Sequence, residues 1–234
     1  MPLKAGEIAP HFLMKDTSGQ MIDLAHYRGS RTMLSFFRYT GCPLCNLRFW
    51  YLTQRYPHYR AQGLRIISVF ESSQADTRDF ASKFASPFPI IADPKRELYK
   101  LYKLETSWTG FVRGFLLRGA AFEEAQSRGL AKWNINGTAQ RMPADFLLNP
   151  DQTIATAYYG KDMGDFLQLT KSMISSANQP RYSISRTSVI SLFLSNMTSV
   201  MLLHMLLICI WKHHRRVRHP ATDRHVRRRT TRTA

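Results

Sequence analysis

Cysteine is scarce, three in 234 residues, with Cys42 and Cys45 three positions apart and Cys209 alone in an apolar run. Three cysteines cannot build a disulfide framework, so the chain must rely on a hydrophobic core, and the close pair is the usage of a redox or metal site. Acidic residues are few as well, 16 against 33 Lys and Arg, for a formal net charge of +17. Residues 1–10 include Lys4 and Glu7 but no apolar stretch like the core of a signal peptide; export by that route is not expected, and a reducing cytoplasm is the default. Internal repeats are absent. No histidine spacing supplies the two further ligands that zinc would need beside Cys42 and Cys45, so neither a metal nor another cofactor is expected.

What the chain does contain is 44% hydrophobic and 12% aromatic residues, ample for a packed core and incompatible with a wholly disordered chain. Its charge is uneven: residues 212–234 carry nine Lys or Arg against Asp223 alone, close to half of the net excess. After Asn178-Gln179-Pro180 the composition changes completely. Three regions follow: a domain over residues 1–178, a linker and apolar helix over 179–211, and a basic disordered tail over 212–234.

Hydrophobic periodicity orders the first region. Turn-rich Asp16-Thr17-Ser18-Gly19 between short apolar pieces suits a small hairpin. Residues 33–37 and 64–70 are apolar runs of strand length, and between them Cys45, Phe49, Leu52 and Tyr56 recur at helical spacing up to Gly63. A strand-helix-strand unit of this kind implies a parallel pair with a right-handed crossover. A helix with Ala75, Phe80 and Phe84, a short strand at 88–92 and a helix with Leu98, Leu101 and Tyr102 come next. Residues 106–141 read as an insertion, with a helix over 115–128 closed by Gly129 and a loop over 134–140. Strands at 144–148 and 153–158 flank the tight turn Asn149-Pro150-Asp151-Gln152, and Asp165 is placed to cap a last helix running to about Ser176. The expected fold class is α/β, with a central mixed sheet flanked by helices in thioredoxin-like order.

A thiol attacks only as its thiolate, so a catalytic cysteine needs surroundings that lower its pKa from about 8.5. In Cys42-Pro43-Leu44-Cys45, Cys42 falls at a helix N-cap and Pro43 in the first turn, where free backbone amides and the helix dipole face the sulfur. Arg38 and Arg48 could add positive charge, although arginines such as Arg38 and Arg141 are more often surface or structural. Cys45, about one turn on, is close enough to form a disulfide with Cys42 and release whatever Cys42 has attacked. Cys42 is therefore the candidate nucleophile and Cys45 the candidate resolving thiol. Two inert cysteines packed as small hydrophobes are the alternative.

Four separated segments, in order, resemble bacterial peroxiredoxin-like proteins of the AhpC/TSA (alkyl hydroperoxide reductase/thiol-specific antioxidant, redoxin) family. They are Gly6-Glu7-Ile8-Ala9-Pro10-His11-Phe12, the run from Phe36 to Arg48 that contains Thr40-Gly41-Cys42-Pro43-Leu44-Cys45, the run from Pro143 to Asp151, and Tyr159-Gly160-Lys161-Asp162-Met163-Gly164-Asp165. The resemblance spans about residues 3–176. It implies a thioredoxin fold, antioxidant activity and reduction of a peroxide or disulfide substrate at Cys42, with electrons from a thioredoxin-like or small-thiol donor. The family pattern places Thr or Ser three residues before the reactive cysteine, where this chain has Tyr39, with Thr40 adjacent. Pro143 matches the cis-proline that thioredoxins set beside their cysteine loop. The supporting residues implied are thus Pro43, Thr40, Arg38 and Pro143, and thioredoxin-like disulfide exchange at the same C-x-x-C is the close competitor.

Residues 187–211 hold no Lys, Arg, Asp or Glu over 25 positions, long enough to span a bilayer, yet Ser188, Ser191, Ser195, Asn196 and His204 dilute the apolarity. The expectation is a cytoplasmic domain associated with membrane through this run, and a tail attracted to an anionic membrane surface. The tail has no interleaved aromatics for base stacking, so no specific nucleic acid is expected as a partner. A non-catalytic module docked on membrane through the basic extension is the reading from a different class.

Overall fold

At the amino end a single carboxylate makes the first turn. Asp16 Oδ1 accepts from the N–H groups of Ser18 and Gln20, both at 2.9 Å, and folds β1 (Leu13–Lys15) back on β2 (Met21–Asp23) as an antiparallel pair. A 3-10 turn at Leu24–Tyr27 leads into β3 (Arg31–Phe36). The helix α1 (Pro43–Ala61) then carries the chain over to β4 (Leu64–Phe70), which lies parallel to β3 with Arg31 opposite Leu64 and Phe36 opposite Val69. This is the expected crossover unit.

The computed structural model describes residues 1–169, all within the first of two units into which the chain divides, Met1–Gln179 and Pro180–Ala234. The expectations for residues 187–211 and for the basic tail fall outside the described residues. Among the described residues no helix is long and apolar enough to cross a membrane.

Ser73 opens α2 (Gln74–Phe84) by accepting from the Asp76 N–H at 3.1 Å, and β5 (Ile90–Ala92) adds parallel to β4. The short α3 (Glu97–Leu101) starts on the Asp93 carboxylate, which accepts from the N–H groups of Glu97 and Leu98 at 2.9 and 2.8 Å. The insertion contains two helices, α4 (Trp108–Leu117) and α5 (Gly119–Ser127), where one over 115–128 is expected from periodicity. Ser107 starts α4 early by accepting from the Gly110 N–H at 2.9 Å. At Arg118 the backbone leaves the helix while the guanidinium pairs with Asp162 at 3.0 Å, which separates α4 from α5.

Finally β6 (Ala144–Leu148) and β7 (Ile154–Tyr159) form an antiparallel hairpin, with β6 antiparallel to β3. The sheet order is β5-β4-β3-β6-β7, a mixed sheet of thioredoxin-like type with β3 at its centre. One face packs Met33, Phe37, Phe49, Ile66, Phe70 and Phe80 together with both loop cysteines, beneath α1 and α2. The other packs Leu34, Phe36, Ile67, Val69, Tyr99 and Phe146, beneath α3 and the N-terminal segment.

Two further expectations fail within the described residues. Residues 165–169 are not helical, and the remainder of the expected last helix lies outside the described residues. Asp165 is turned back, accepting from the Lys161 N–H (2.8 Å) and the Tyr158 hydroxyl (2.6 Å) rather than capping forward. At Leu167 both backbone groups are taken up outside any helix, the N–H donating to Asp145 and the carbonyl accepting from Arg48, each at 2.8 Å. The peptide before Pro143 is trans, like every other described one, so the expected cis-proline is absent. Gly160 N–H donates to the Pro143 carbonyl at 2.8 Å, which ties that residue to the end of β7.

Phe49 is fully buried and its ring meets Phe37, Phe70, Phe80, Phe84 and Phe88 at centroid distances between 4.9 and 5.9 Å. Phe49→Ala should therefore cost about 3–5 kcal/mol of stability, read by urea unfolding. A loss below about 1 kcal/mol, the surface-like range, would contradict this packing.

Candidate active site

The site begins where β3 ends. Phe37 N–H still donates to the Val69 carbonyl (2.9 Å), after which Arg38 and Tyr39 lead into a turn closed by Cys42 N–H on the Tyr39 carbonyl at 3.1 Å. Cys42 has extended backbone angles and caps α1: its carbonyl accepts from Asn46 N–H at 3.0 Å and its sulfur from Cys45 N–H at 3.4 Å. Pro43 occupies the first helical position, where its missing N–H leaves no bond unmade. Cys42 and Cys45 are both free thiols, 1% and 0% exposed.

Arg38 is neither a surface charge nor remote. It is 2% exposed, and its Nη1 lies 3.2 Å from Cys42 Sγ and 3.2 Å from Met163 Sδ. Its Nη2 donates to the Ala139 carbonyl, and its planar head lies over the rings of Tyr39 and Phe111 at 5.0 and 5.6 Å. No carboxylate is among these partners. Buried Nε–H finds no acceptor among the described residues, so the guanidinium keeps one donor in reserve.

Burial pushes the Cys42 thiol up, but the hydrogen bond from Cys45 and the Arg38 charge outweigh it and bring Cys42 down to about 6. Cys45 goes the other way, well above the usual thiol range, because it is buried and hydrogen-bonds to a neighbour that carries the negative charge. Arg38 is correspondingly held as a cation: burial opposes its charge, and the Cys42 thiolate more than restores it. One thiolate and one thiol therefore stand side by side, which is the asymmetry an attacking and a resolving sulfur require.

The other residues singled out from sequence take different positions. Thr40 does not bond the sulfur; its N–H and hydroxyl meet Ser72 Oγ at 2.9 and 3.2 Å, and Asn136 Nδ2 donates to its hydroxyl at 2.8 Å. Arg48 is turned away, with Nη2 on the Leu167 carbonyl at 2.8 Å and 3.9 Å from Asp145. Arg141 is buried in a 2.9 Å ion pair with Glu71. Pro143 is buried just before β6. Sequence reasoning misses Met163, Phe111, Ser72 and Asn136, because a thioether, a ring, a hydroxyl and an amide carry no spacing signature that ties them to a distant cysteine. No cluster of His, Cys, Asp and Glu suited to a metal occurs among the described residues.

Since the reactive form is the anion, Cys42 alkylation by iodoacetamide should rise with pH around a midpoint of about 6 and fall off below it. Arg38→Met should move that midpoint toward the ordinary thiol value of about 8.5. Linkage gives a matching sign in stability. A thiol with a depressed folded pKa stabilises the fold above its unfolded value, and that contribution is lost as pH falls toward about 6. The stability advantage of the wild-type chain over Cys42→Ser should accordingly shrink on acidification between about pH 9 and 6, as urea midpoints would report.

Over 111 residues the chain is 29% identical to the thiol-disulfide oxidoreductase ResA of Bacillus subtilis (strain 168), an alignment covering 47% of this chain and 62% of the relative. The chain thus spans less than two thirds of the length of the curated relatives it matches. Among solved structures it is similar to a Xylella fastidiosa PrxQ mutant, with TM-score 0.53, 13% identity and coverage of 74% of this chain and 92% of that one. It is also similar to a mutant of peroxiredoxin 6 of Arenicola marina, with TM-score 0.54, 16% identity and coverage of 73% and 70%. At these identities the structural likeness speaks for the shared fold. The AhpC/TSA family model matches residues 5–157, well over half of the chain, and the protein belongs to that family.

Proposed function

We propose that the protein is a thiol-dependent peroxide reductase in which Cys42 attacks and Cys45 resolves. The observation that carries this reading is the Arg38 guanidinium 3.2 Å from the Cys42 sulfur in a site closed to 1% exposure. A cation there holds the sulfur as thiolate and opposes the build-up of negative charge on the departing oxygen. A sulfur so enclosed suits an oxidant of a few heavy atoms.

The Cys42 thiolate forms a bond to the terminal oxygen of the peroxide as the O–O bond breaks. The departing oxygen takes a proton from solvent and leaves as alcohol or water, so the sulfur is oxidised to sulfenic acid and the peroxide reduced by two electrons. Cys45 then bonds to the Cys42 sulfur, and the hydroxide released takes the Cys45 proton and departs as water. The charge on Cys42 helps to keep that proton in place beforehand; once Cys42 is a neutral sulfenic acid this opposition is gone, Arg38 favours the Cys45 thiolate instead, and the proton is free to leave as the S–S bond forms. Two thiols of a thioredoxin-like or small-thiol donor return the disulfide to the dithiol.

Disulfide exchange at the same pair is the second reading, favoured by the likeness to proteins named thiol-disulfide oxidoreductase. Peroxide assays separate the two. Cys42→Ser should abolish thiol-dependent peroxide loss, and Cys45→Ser should consume about one equivalent and stall with a sulfenic acid that dimedone traps. A folded, reduced wild-type chain that leaves peroxide untouched would exclude the peroxidase reading and leave disulfide exchange.

A further inference from the structure

Cys42 is buried although it stands on a loop, and what covers that loop is the stretch 130–140, which has neither helix nor strand. A stretch without its own ladder keeps its place only through what it bonds to elsewhere. Its two ends are anchored by Asn46 Nδ2 on the Leu130 carbonyl and by the Ser107 N–H on the Gln140 carbonyl, each at 2.8 Å, with Thr138 on Glu71 between them. Directly over the cysteine loop the bonds meet at one side chain. Asn136 Nδ2 donates to Thr40 Oγ1 (2.8 Å), Thr40 Oγ1 to Ser72 Oγ (3.2 Å), and Ser72 Oγ to Asn136 Oδ1 (3.1 Å), a closed ring of three bonds. Asn136 Oδ1 also accepts from the Gly41 N–H at 3.2 Å, next to the cysteine itself.

The flanking fit is close. A Cβ at Gly41 would run into the Asn134 backbone, and one at Gly137 would stand 2.7 Å from Tyr39 Cβ. Ile135 and Ala139 pack against the cluster that holds both cysteines, and the Ala139 carbonyl accepts from Arg38. Within the stretch, Trp133 adopts φ +48°, a left-handed conformation unfavourable for a bulky residue. Between its anchored ends, the part of the stretch over Gly41 is held chiefly by the bonds of Asn136.

We propose that Asn136 determines which oxidants reach Cys42: its clasp on Thr40 and Gly41 holds residues 130–140 over the sulfur, admitting peroxide-sized molecules and refusing the disulfide of a polypeptide. This rests on the reading of Cys42 as the reacting thiol. It also gives the two candidate reactions a single structural control, since release of the clasp exposes the same sulfur to larger partners.

The test compares Cys42 modification in the full, reduced chain by iodoacetamide and by a maleimide on a long polyethylene glycol, with the modified cysteine identified by mass spectrometry. Asn136→Ala removes the clasp, and Gly137→Ala reaches the same end independently by driving a Cβ into Tyr39. In both variants the bulky reagent should accelerate at least about tenfold, equivalent to about 1.4 kcal/mol of lost closure, while the iodoacetamide rate and its pH midpoint stay close to wild type. Cooperative thermal unfolding identifies the variant that has kept its fold, and either one suffices. An unchanged ratio of the two rates in a folded variant overturns the proposal. A parallel rise in both rates overturns it too, since Asn136 would then tune the sulfur rather than guard it. Because the readout is alkylation, a chain that consumes no peroxide sinks the peroxidase reading alone, whereas a size-blind Cys42 sinks the clasp and leaves peroxide turnover intact.

Discussion

A guanidinium with almost no access to water must have an anion, and the one that Arg38 meets is a sulfur. Taking either charge alone out of water is expensive, so each group makes the other's ionised form tenable. The Cys42 thiolate offsets the desolvation of Arg38, and Arg38 with the Cys45 hydrogen bond offsets the burial that would otherwise raise Cys42. Everything else in the site arranges this pair. The helix cap aims backbone amides at the sulfur, two rings lie over the guanidinium, and the insertion supplies Phe111 and the Ala139 carbonyl.

Such a pair works only if water stays out and no better anion comes in. Glu71 is the obvious competitor, because it is buried and its N–H bonds to the carbonyl of Arg38 itself. Its carboxylate is already spoken for: Arg141 holds one oxygen at 2.9 Å, Thr138 donates to the other, and Arg96 lies 3.8 Å away. Arg141 thus has a structural part, keeping Glu71 engaged so that Arg38 is left to the sulfur. Thr138 belongs to the stretch that Asn136 clasps, so the same segment that closes over Cys42 also helps hold the competing carboxylate in place.

How much of this is legible in the sequence follows from how local each cause is. The Cys42 cap and the Pro43 first turn are written in adjacent residues, and periodicity places α1, β3 and β4 because their apolar positions face a continuous sheet. The last helix is misread at residues 165–169, since Asp165 bonds backwards to Lys161 and Tyr158, a choice set by tertiary neighbours. Pro143 is misread for a related reason: a match of position does not carry peptide geometry with it. Residues 134–140 read correctly as loop, but their contacts with Tyr39, Thr40 and Gly41 lie about a hundred residues away, beyond any local pattern.

The distribution of charge between the two thiols follows from where the helix begins. Were Cys45 the lower of the pair, the charge would sit on a sulfur fully buried inside the first turn of α1. The helix start breaks that symmetry. Cys42 lies outside the first turn, where free amides and Arg38 converge, while Cys45 lies inside it, where its own N–H is spent on Cys42. The order of the two residues along the chain, with proline between cap and turn, is therefore what assigns the charge to Cys42 and the proton to Cys45.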